Sequence, residues 1–512
     1  MERRTFLKIL SSAGIVSLVS PTFAMEVCKN KVSKSSSALL ESAFRNPPFS
    51  SGVYTWWHWM NGNITKDGIT RDLEAMKANG IAGYQLFEAG SGIPIGPVES
   101  LSDEWVDLIL HTLKESERLG LEFAMHNCPG WSSSGGPWIT PDKAMQIITW
   151  SETKITGGKQ VRIQLPTPKH MFDYYIDTYC LAIPANMKVI PRLSILELSN
   201  RLDKDGVLTW DVPTGEWLIM RFGQTAKDQK NKSAPSKSTG LDCDKFSTEA
   251  LDYHLNCMFK RLMPAMEKIA KHSKIGLLID SYETGDQDWT SDMPAYFEQS
   301  HGYELYPFLP VLANKIVESE ESTKRFLFDF RRVRADMFAE RYYGHFQKRC
   351  KEKGIITYTE PYGGNMMEEL QVAQQLDINM GEFWCGQTVL WANYKYNRTV
   401  KQVASIAHTL GGKVVGAEAF TSEPDADKWL QYPYALKSLG DYMFTRGLSR
   451  IYFHRFAHQP HPTAAPGMTM GAWGLHFDRT NTWWKPGKAW IEYLNRCQYI
   501  FQSSTFYGDI LY

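Results

Sequence analysis

The feature that most constrains this chain is an alternation. Apolar runs ending in polar or aromatic clusters recur about eight times, separated by stretches of helical periodicity. Such a rhythm predicts parallel strands joined by helices, and eight repeats close into an α/β (β/α)8 TIM barrel. The predicted strands are Val53 to Trp59, Gly83 to Phe87, Leu121 to His126, Ile275 to Asp280, Ile355 to Glu360, Asp377 to Gly381, Val414 to Glu418 and Arg450 to His454. Helices are predicted over Lys66 to Asn79, Asp103 to Leu119, Thr248 to Lys271 and Phe326 to Lys353. Gly80, Gly120 and Gly354 follow three of these four, as a left-handed C-terminal cap requires.

Between the third and fourth strands the rhythm breaks. Val161-Arg162-Ile163-Gln164-Leu165 alternates with period two, and Gly215 to Phe222 reads as another strand, so an inserted β-rich domain is expected there. Lys227 to Gly240 is rich in Lys, Ser and Thr without apolar period and is expected to be a mobile surface loop. The expected organisation is an export signal over 1–24, the first part of the barrel over 45–146, the insert and loop over 147–240, and the rest of the barrel over 241–512.

Arg3 and Arg4 lead into the largely apolar run Ile9 to Val19 and then Thr22-Phe23-Ala24, an export signal of the twin-arginine type. The run is shorter than the roughly 20 residues of a bilayer span. The mature protein is therefore expected in the periplasm or outside the cell, without membrane insertion. Lys and Arg number 56 and so do Asp and Glu, with no basic block beyond the signal, which argues against a nucleic-acid partner. The eight cysteines are scattered without zinc spacing and are expected to be free thiols. Aromatic residues make up 13% of the chain, with 17 Trp, and flat apolar ring faces suit the C–H face of a sugar.

Barrel active sites form where strand ends converge, so the residues closing each strand carry the chemical prediction. A glycosidase needs one carboxylic acid to protonate the departing oxygen and a second carboxylate to activate water or attack the anomeric carbon. Glu283, just after the fourth strand, and Glu418, ending the seventh, lie on nearly opposite sides of the expected mouth and form the favoured pair. Glu360 and Glu382 compete for the base role, or bind sugar hydroxyls or a hard cation. Trp57, His58, Trp59, His126, Asn127, Trp131, Asp280, Glu360, Trp384 and His454 are the candidate substrate contacts. Cys128 to Trp138, dense in glycine and serine, is expected to be a shaped loop at the mouth. It lacks the G-K-S/T ending of a phosphate cradle.

Several blocks, in order, resemble glycoside hydrolase family 106, the α-L-rhamnosidases. They are Trp57-His58-Trp59-Met60-Asn61-Gly62-Asn63-Ile64-Thr65, Asp72-Leu73-Glu74-Ala75-Met76, Pro129-Gly130-Trp131-Ser132, Asp280-Ser281-Tyr282-Glu283, Glu382-Phe383-Trp384, Gly416-Ala417-Glu418 and His458-Gln459-Pro460. The resemblance runs from about Asn46 to the end. It implies an inverting, calcium-dependent exo-hydrolase that releases terminal α-L-rhamnose from pectin-like plant glycans, with Glu283 as general acid and Glu418 as general base. Glu360 and Glu382 would support the sugar or the calcium. Members of the family usually continue into β-sandwich domains, so this chain is expected to end near the close of the catalytic barrel. The rival expectations are a glycosidase of other specificity, such as a β-glycosidase or a uronic-acid-specific enzyme, and a non-catalytic glycan-binding protein.

Overall fold

A computed structural model describes residues 34–508, apart from 91, 272–273, 386–388, 424–428 and 472. The predicted signal, Cys28 and the strand-like 509–512 lie outside the described residues. The chain divides into two units: the first ends at Pro48 and holds the helix Lys34–Arg45, and the second begins at Phe49 and holds the barrel.

Eight parallel strands close a barrel in sequence order: β1 (Tyr54–Met60), β2 (Gly83–Ala89), β3 (Glu122–His126), β4 (Ile275–Ile279), β5 (Ile356–Thr359), β6 (Ile378–Cys385), β7 (Val415–Ser422) and β8 (Arg450–Ala457). The eight predicted runs are these strands, with β6, β7 and β8 extending three to four residues further toward the mouth than the sequence suggested. Alternation along each strand sorts side chains into two layers. Tyr54, Trp56, Phe87, Ala124, Leu278, Tyr358, Met380 and Tyr452 fill the barrel interior. Trp57, Trp59, Leu86, Phe123, Leu277, Phe383 and Phe453 point outward into the core beneath the surrounding helices.

Local chemistry sets the helix ends. Thr65 accepts from the Gly68 amide at the start of Lys66–Ala78, and Ser102 accepts from Trp105 N at the start of Asp103–Leu119. Gly120 closes the second in the left-handed region, with φ of 67°. The helix predicted over Thr248 to Lys271 is two, Thr248–Phe259 and Met263–Ile269, because Pro264 has no amide hydrogen and sits where a new first turn tolerates it. Phe326 to Lys353 belongs to a longer helical run that starts at Glu320, after the Ser319 cap, and widens into a π-helical segment at Phe338–Gly344.

The insert pairs Gln146–Thr156, Glu216–Ala226, Ile176–Pro184 and Leu196–Glu197 in an antiparallel sheet, with a separate ribbon of Lys159–Gln164 and Val207–Val212. Period two again decides which residue faces where. Leu218, Met220 and Phe222 join the core shared with the barrel. Ile219 joins Leu165, Leu208, Trp210 and Val212 in the insert's own core.

Two expectations about loops need correction. Lys227 to Gly240 is not a free surface loop: Asn231 and Ser238 are buried, and Asn231 donates to the carbonyls of Pro129 and Ser238. Part of its polar composition serves hydrogen bonds to neighbouring backbone, while Lys230, Lys232 and Lys237 face solvent. The Cys128 to Trp138 segment is indeed non-helical, but its serines face inward. Ser132 and Ser134 donate to Asp242, whose carboxylate also takes the Lys245 ammonium, and all four side chains are buried. The seven cysteines among the described residues are all free.

Among the described residues no helix is long and apolar enough to cross a membrane.

Candidate active site

The carboxyl ends of β4 to β7 bring together a dense group of acids. Asp280 follows β4, Glu360 follows β5, Glu382 lies within β6 and Glu418 within β7, where the two glutamates pair in register. All four are buried, and Glu360 is fully so. Burial is the main reason that Asp280, Glu360 and Glu418 bind protons far more tightly than ordinary carboxylates, and their mutual repulsion adds to it. Glu360 Oε2 accepts from Tyr362 Oη at 2.5 Å, whereas Oε1 is buried without a hydrogen-bond partner. Glu418 Oε1 accepts from Thr421 Oγ1 and lies 3.5 Å from His454 Nδ1.

Glu283 occupies a different setting. It stands at the rim with 39% of its side chain exposed, and its Oε2 takes the Lys232 ammonium at 2.5 Å. Its charge nonetheless reaches Asp280 and Glu418, so the predicted pair shares one electrostatic environment. Lys232, delivered by the Lys227 to Gly240 segment, was missed in the sequence. Nothing in a lysine within a polar loop distinguishes one that folds back onto a strand end.

The tryptophan prediction at β1 needs a shift of one residue. Trp57 and Trp59 are fully buried on the outer face; Trp57 Nε1 donates to Asp72 on the neighbouring helix, and its ring meets Trp59, Tyr84 and His458 edge-on. They pack the barrel wall and do not reach the mouth. Trp56 and His58 face inward, as period-two alternation demands once Tyr54 is inside. Asn127 is also withdrawn as a substrate contact. Its amide donates to the Ser133 and Leu278 carbonyls and its oxygen meets His254, leaving nothing for a ligand.

His126 lines the interior against Phe87, but both ring nitrogens are committed: Nδ1 donates to Cys128 O at 2.8 Å, and Nε2 accepts from the Asp280 amide at 3.4 Å. It positions the Asp280 turn. His58 stacks on Phe87 and meets His454 edge-on at 5.6 Å, and burial holds both His58 and His454 in the neutral form. At the rim, Trp384 donates to Glu382 and crosses Trp473 at 85°. Trp131 packs beside Met60, Ala89 and Met470. Trp473, 47% exposed, was another residue missed in the sequence, where it lies in a glycine-rich stretch without period.

The site therefore has two walls. Carboxylates occupy β4 to β7; imidazoles, indoles and Arg455 occupy β1 and β8. Carboxyl groups spread from β4 to β7 at one end of the barrel, beside aromatic rings, supply the two acids that acid–base cleavage of a glycosidic bond requires.

Comparisons with known proteins agree with this arrangement. The chain is 40% identical over 503 residues to a protein from Formosa agariphila provisionally named beta-glucuronidase, an alignment covering 92% of this chain and 42% of that protein. A rhamnosidase structure from Novosphingobium sp. PP1Y superposes with a TM-score of 0.83 at 24% identity, covering 91% of this chain and 60% of that one. The chain thus spans less than two thirds of the length of either relative. A glycoside hydrolase 106 family model, described as alpha-L-rhamnosidase, matches residues 45–178 and 169–512, nearly all of the described barrel and its insert. With the family's model matched across most of its length and the barrel's acids gathered at one mouth, this chain belongs to glycoside hydrolase family 106.

Proposed function

We propose that the barrel is the catalytic unit of an exported α-L-rhamnosidase, which removes terminal α-L-rhamnose from a pectin-like plant glycan by single displacement with inversion. What supports this reading is that Glu283 follows β4 and Glu418 lies within β7 of one barrel, with the charge of Glu283 felt at Glu418, in a chain of this family.

Glu283, at the rim, is the general acid that protonates the glycosidic oxygen of the departing glycan. Its exposed position suits a group that must meet a large leaving group entering from solvent. The Lys232 ammonium occupies the same carboxylate oxygen, so substrate must displace Lys232 before that oxygen can serve. Glu418, deep in the barrel, is the general base. Thr421 holds its Oε1, which leaves Oε2 to take a proton from a water placed on the far face of the sugar ring. Aromatic edges from Trp131, Trp384 and Trp473 frame the entrance and exclude water from the ring's apolar face.

Glu418 must be ionised to act as base, yet burial and then the charges of Glu382 and Asp280 favour its protonated form. A hard cation among these acids relieves that conflict. Glu360 and Glu382 offer oxygen donors of the type calcium takes, and Glu360 Oε1 is without a partner. Among the described residues no three acidic, histidine or cysteine side chains stand close enough to chelate an ion as they are, so binding entails a side-chain adjustment. Glu360 and Glu382 would hold such an ion, whose positive charge would keep the neighbouring carboxylates ionised.

A second reading has a specific observation behind it, the beta-glucuronidase name of the 40% identical relative. Hydrolysis of an aryl α-L-rhamnoside and an aryl β-D-glucuronide, with and without a calcium chelator, separates the two. Rhamnose release that chelation suppresses and that Glu283→Gln and Glu418→Gln abolish is the expected result. Cleavage of the glucuronide alone would overturn the rhamnose assignment. Undiminished glycan binding by both variants, with no sugar released by the wild type, would make the barrel a binding protein.

A further inference from the structure

Four cationic side chains are buried among the described residues, and three have acceptors. Lys245 has Asp242; Arg450 Nη2 donates to Ser50 O and Gln502; Arg221 donates Nε and Nη2 to the two carboxylate oxygens of Asp177 at 2.7 and 2.8 Å. Arg455 is the exception. It is 1% exposed, its Nε and Nη2 have no hydrogen-bond partner, and it forms no ion pair with any described residue. Asp478 is the acid whose charge it feels, but Asp478 Oδ1 is taken by the amide and hydroxyl of Thr480. Burial without an acceptor pushes the guanidinium down to about 9.

A buried guanidinium is stable only when its donors are satisfied. The two unsatisfied atoms of Arg455 are the same parallel pair with which Arg221 grips a carboxylate side-on, so the empty fork has the shape of a planar oxyanion. Nor is the vacancy isolated. Arg455 lies near His58 and His454, whose Nδ1 atoms are buried and unpartnered in hydrogen bonding, as is Trp56 Nε1. These nitrogens all belong to β1 and β8, next to β7, and His454 Nδ1 lies 3.5 Å from Glu418 Oε1. Gly474 allows the backbone to pass close to both: a Cβ there would come within 2.9 Å of His454 Nδ1 and 3.1 Å of Arg455 Nη1.

We infer that the β1–β8 wall is an anion subsite, in which the Arg455 fork binds the carboxylate of a uronic acid residue of the glycan while His454, His58 and Trp56 meet its hydroxyls. A neutral sugar leaves the guanidinium uncompensated; a uronate satisfies both free donors at once. This rests on the reading of the barrel as a glycoside hydrolase site. Under the rhamnose assignment the uronate is the residue next to the cleaved sugar, and under the glucuronide assignment it is the cleaved sugar itself. The subsite stands in either case.

The test is calorimetric titration of the full chain with D-glucuronate and with D-glucuronamide, which has the same shape without the charge. The expected result is tighter binding of glucuronate by about tenfold or more, as for a charge-assisted bidentate contact, and loss of that preference in Arg455→Gln. Inorganic sulfate as competitor distinguishes a fork that takes any oxyanion from one set for the sugar acid; complete displacement of glucuronate by equimolar sulfate would overturn the uronate assignment. Equal binding of the two sugars by wild type, or no binding of glucuronate, overturns the proposal without recourse to any variant. Arg455→Lys, which keeps charge but not the fork, is expected to retain only part of the preference. Aryl rhamnoside turnover is read separately, so an inactive chain that still prefers glucuronate would refute the rhamnosidase reading and leave this one intact.

Discussion

The two walls of the barrel mouth are built from the same eight-stranded sheet, yet they solve opposite problems. On β4 to β7, Asp280, Glu360, Glu382 and Glu418 crowd acidic groups into a buried space, so Asp280, Glu360 and Glu418 prefer to hold a proton. On β1 and β8, His58 and His454 are kept neutral and Arg455 is left without an acceptor. A folded core normally pairs its buried polar groups, so donors left without acceptors beside a cluster of buried, mutually repelling carboxyl groups mark a site arranged for a polar ligand rather than for stability.

The largest expected effect breaks the carboxylate wall. Glu418→Gln lowers kcat by about 10²- to 10⁴-fold, the worth of a positioned general base, while raising the melting temperature of the chelated protein because an amide carries no buried charge. Loss of activity together with lower stability would show that the glutamate is a structural member instead. The opposite wall is broken through its support. Asp72 takes Trp57 Nε1, His458 Nδ1, Gln459 N and Arg479 Nε at 2.7 to 3.2 Å, anchoring the segment that follows β8. Asp72→Ala strands a buried-side arginine and is expected to cost about 3–5 kcal/mol in denaturant unfolding.

The pH dependence of stability sharpens the contrast. Burial lowers His126 to about 4 and His254 to about 3. At these two positions the folded state therefore binds fewer protons than the unfolded state between those values and about 6.5, so their share of the stability falls as pH drops through that window, while Asp280, Glu360 and Glu418, which burial pushes up, contribute with the opposite sign. Each histidine contributes on the order of 1.4 kcal/mol per unit of depression. Equilibrium unfolding of the wild type and of His254→Asn between pH 4 and 7 isolates the histidine share as the difference between the two slopes, and the variant is expected to lose less stability on acidification. The smallest effect belongs to the rim: Lys232→Ala changes stability by no more than about 1 kcal/mol, since both partners are substantially exposed, but speeds hydrolysis of small aryl glycosides if opening of the Lys232–Glu283 contact precedes reaction.

Much of this molecule is legible in its sequence, and the limits are instructive. Eight strands, three glycine stops and the insert were readable because periodicity and capping are local. Glu283, Glu360, Glu382 and Glu418 were readable because strand ends converge. Trp57 and Trp59 were misassigned because a motif names a strand but not its inward face; only the position of Tyr54 and Trp56 inside the barrel fixes that parity. Lys232 and Arg455 were invisible for a deeper reason. The first acts through a loop that folds back 51 residues along the chain onto Glu283, and the second matters for a partner it does not have.

The central claim is that Glu283 and Glu418 act across the mouth on a terminal rhamnoside, with water entering from the Glu418 side. Time-resolved proton NMR of aryl α-L-rhamnoside hydrolysis tests it most directly by recording which anomer of rhamnose appears first. The account predicts that the β-anomer forms initially and mutarotates to the equilibrium mixture. Initial formation of the α-anomer would mean a covalent, retaining route and would contradict the assigned roles of both glutamates.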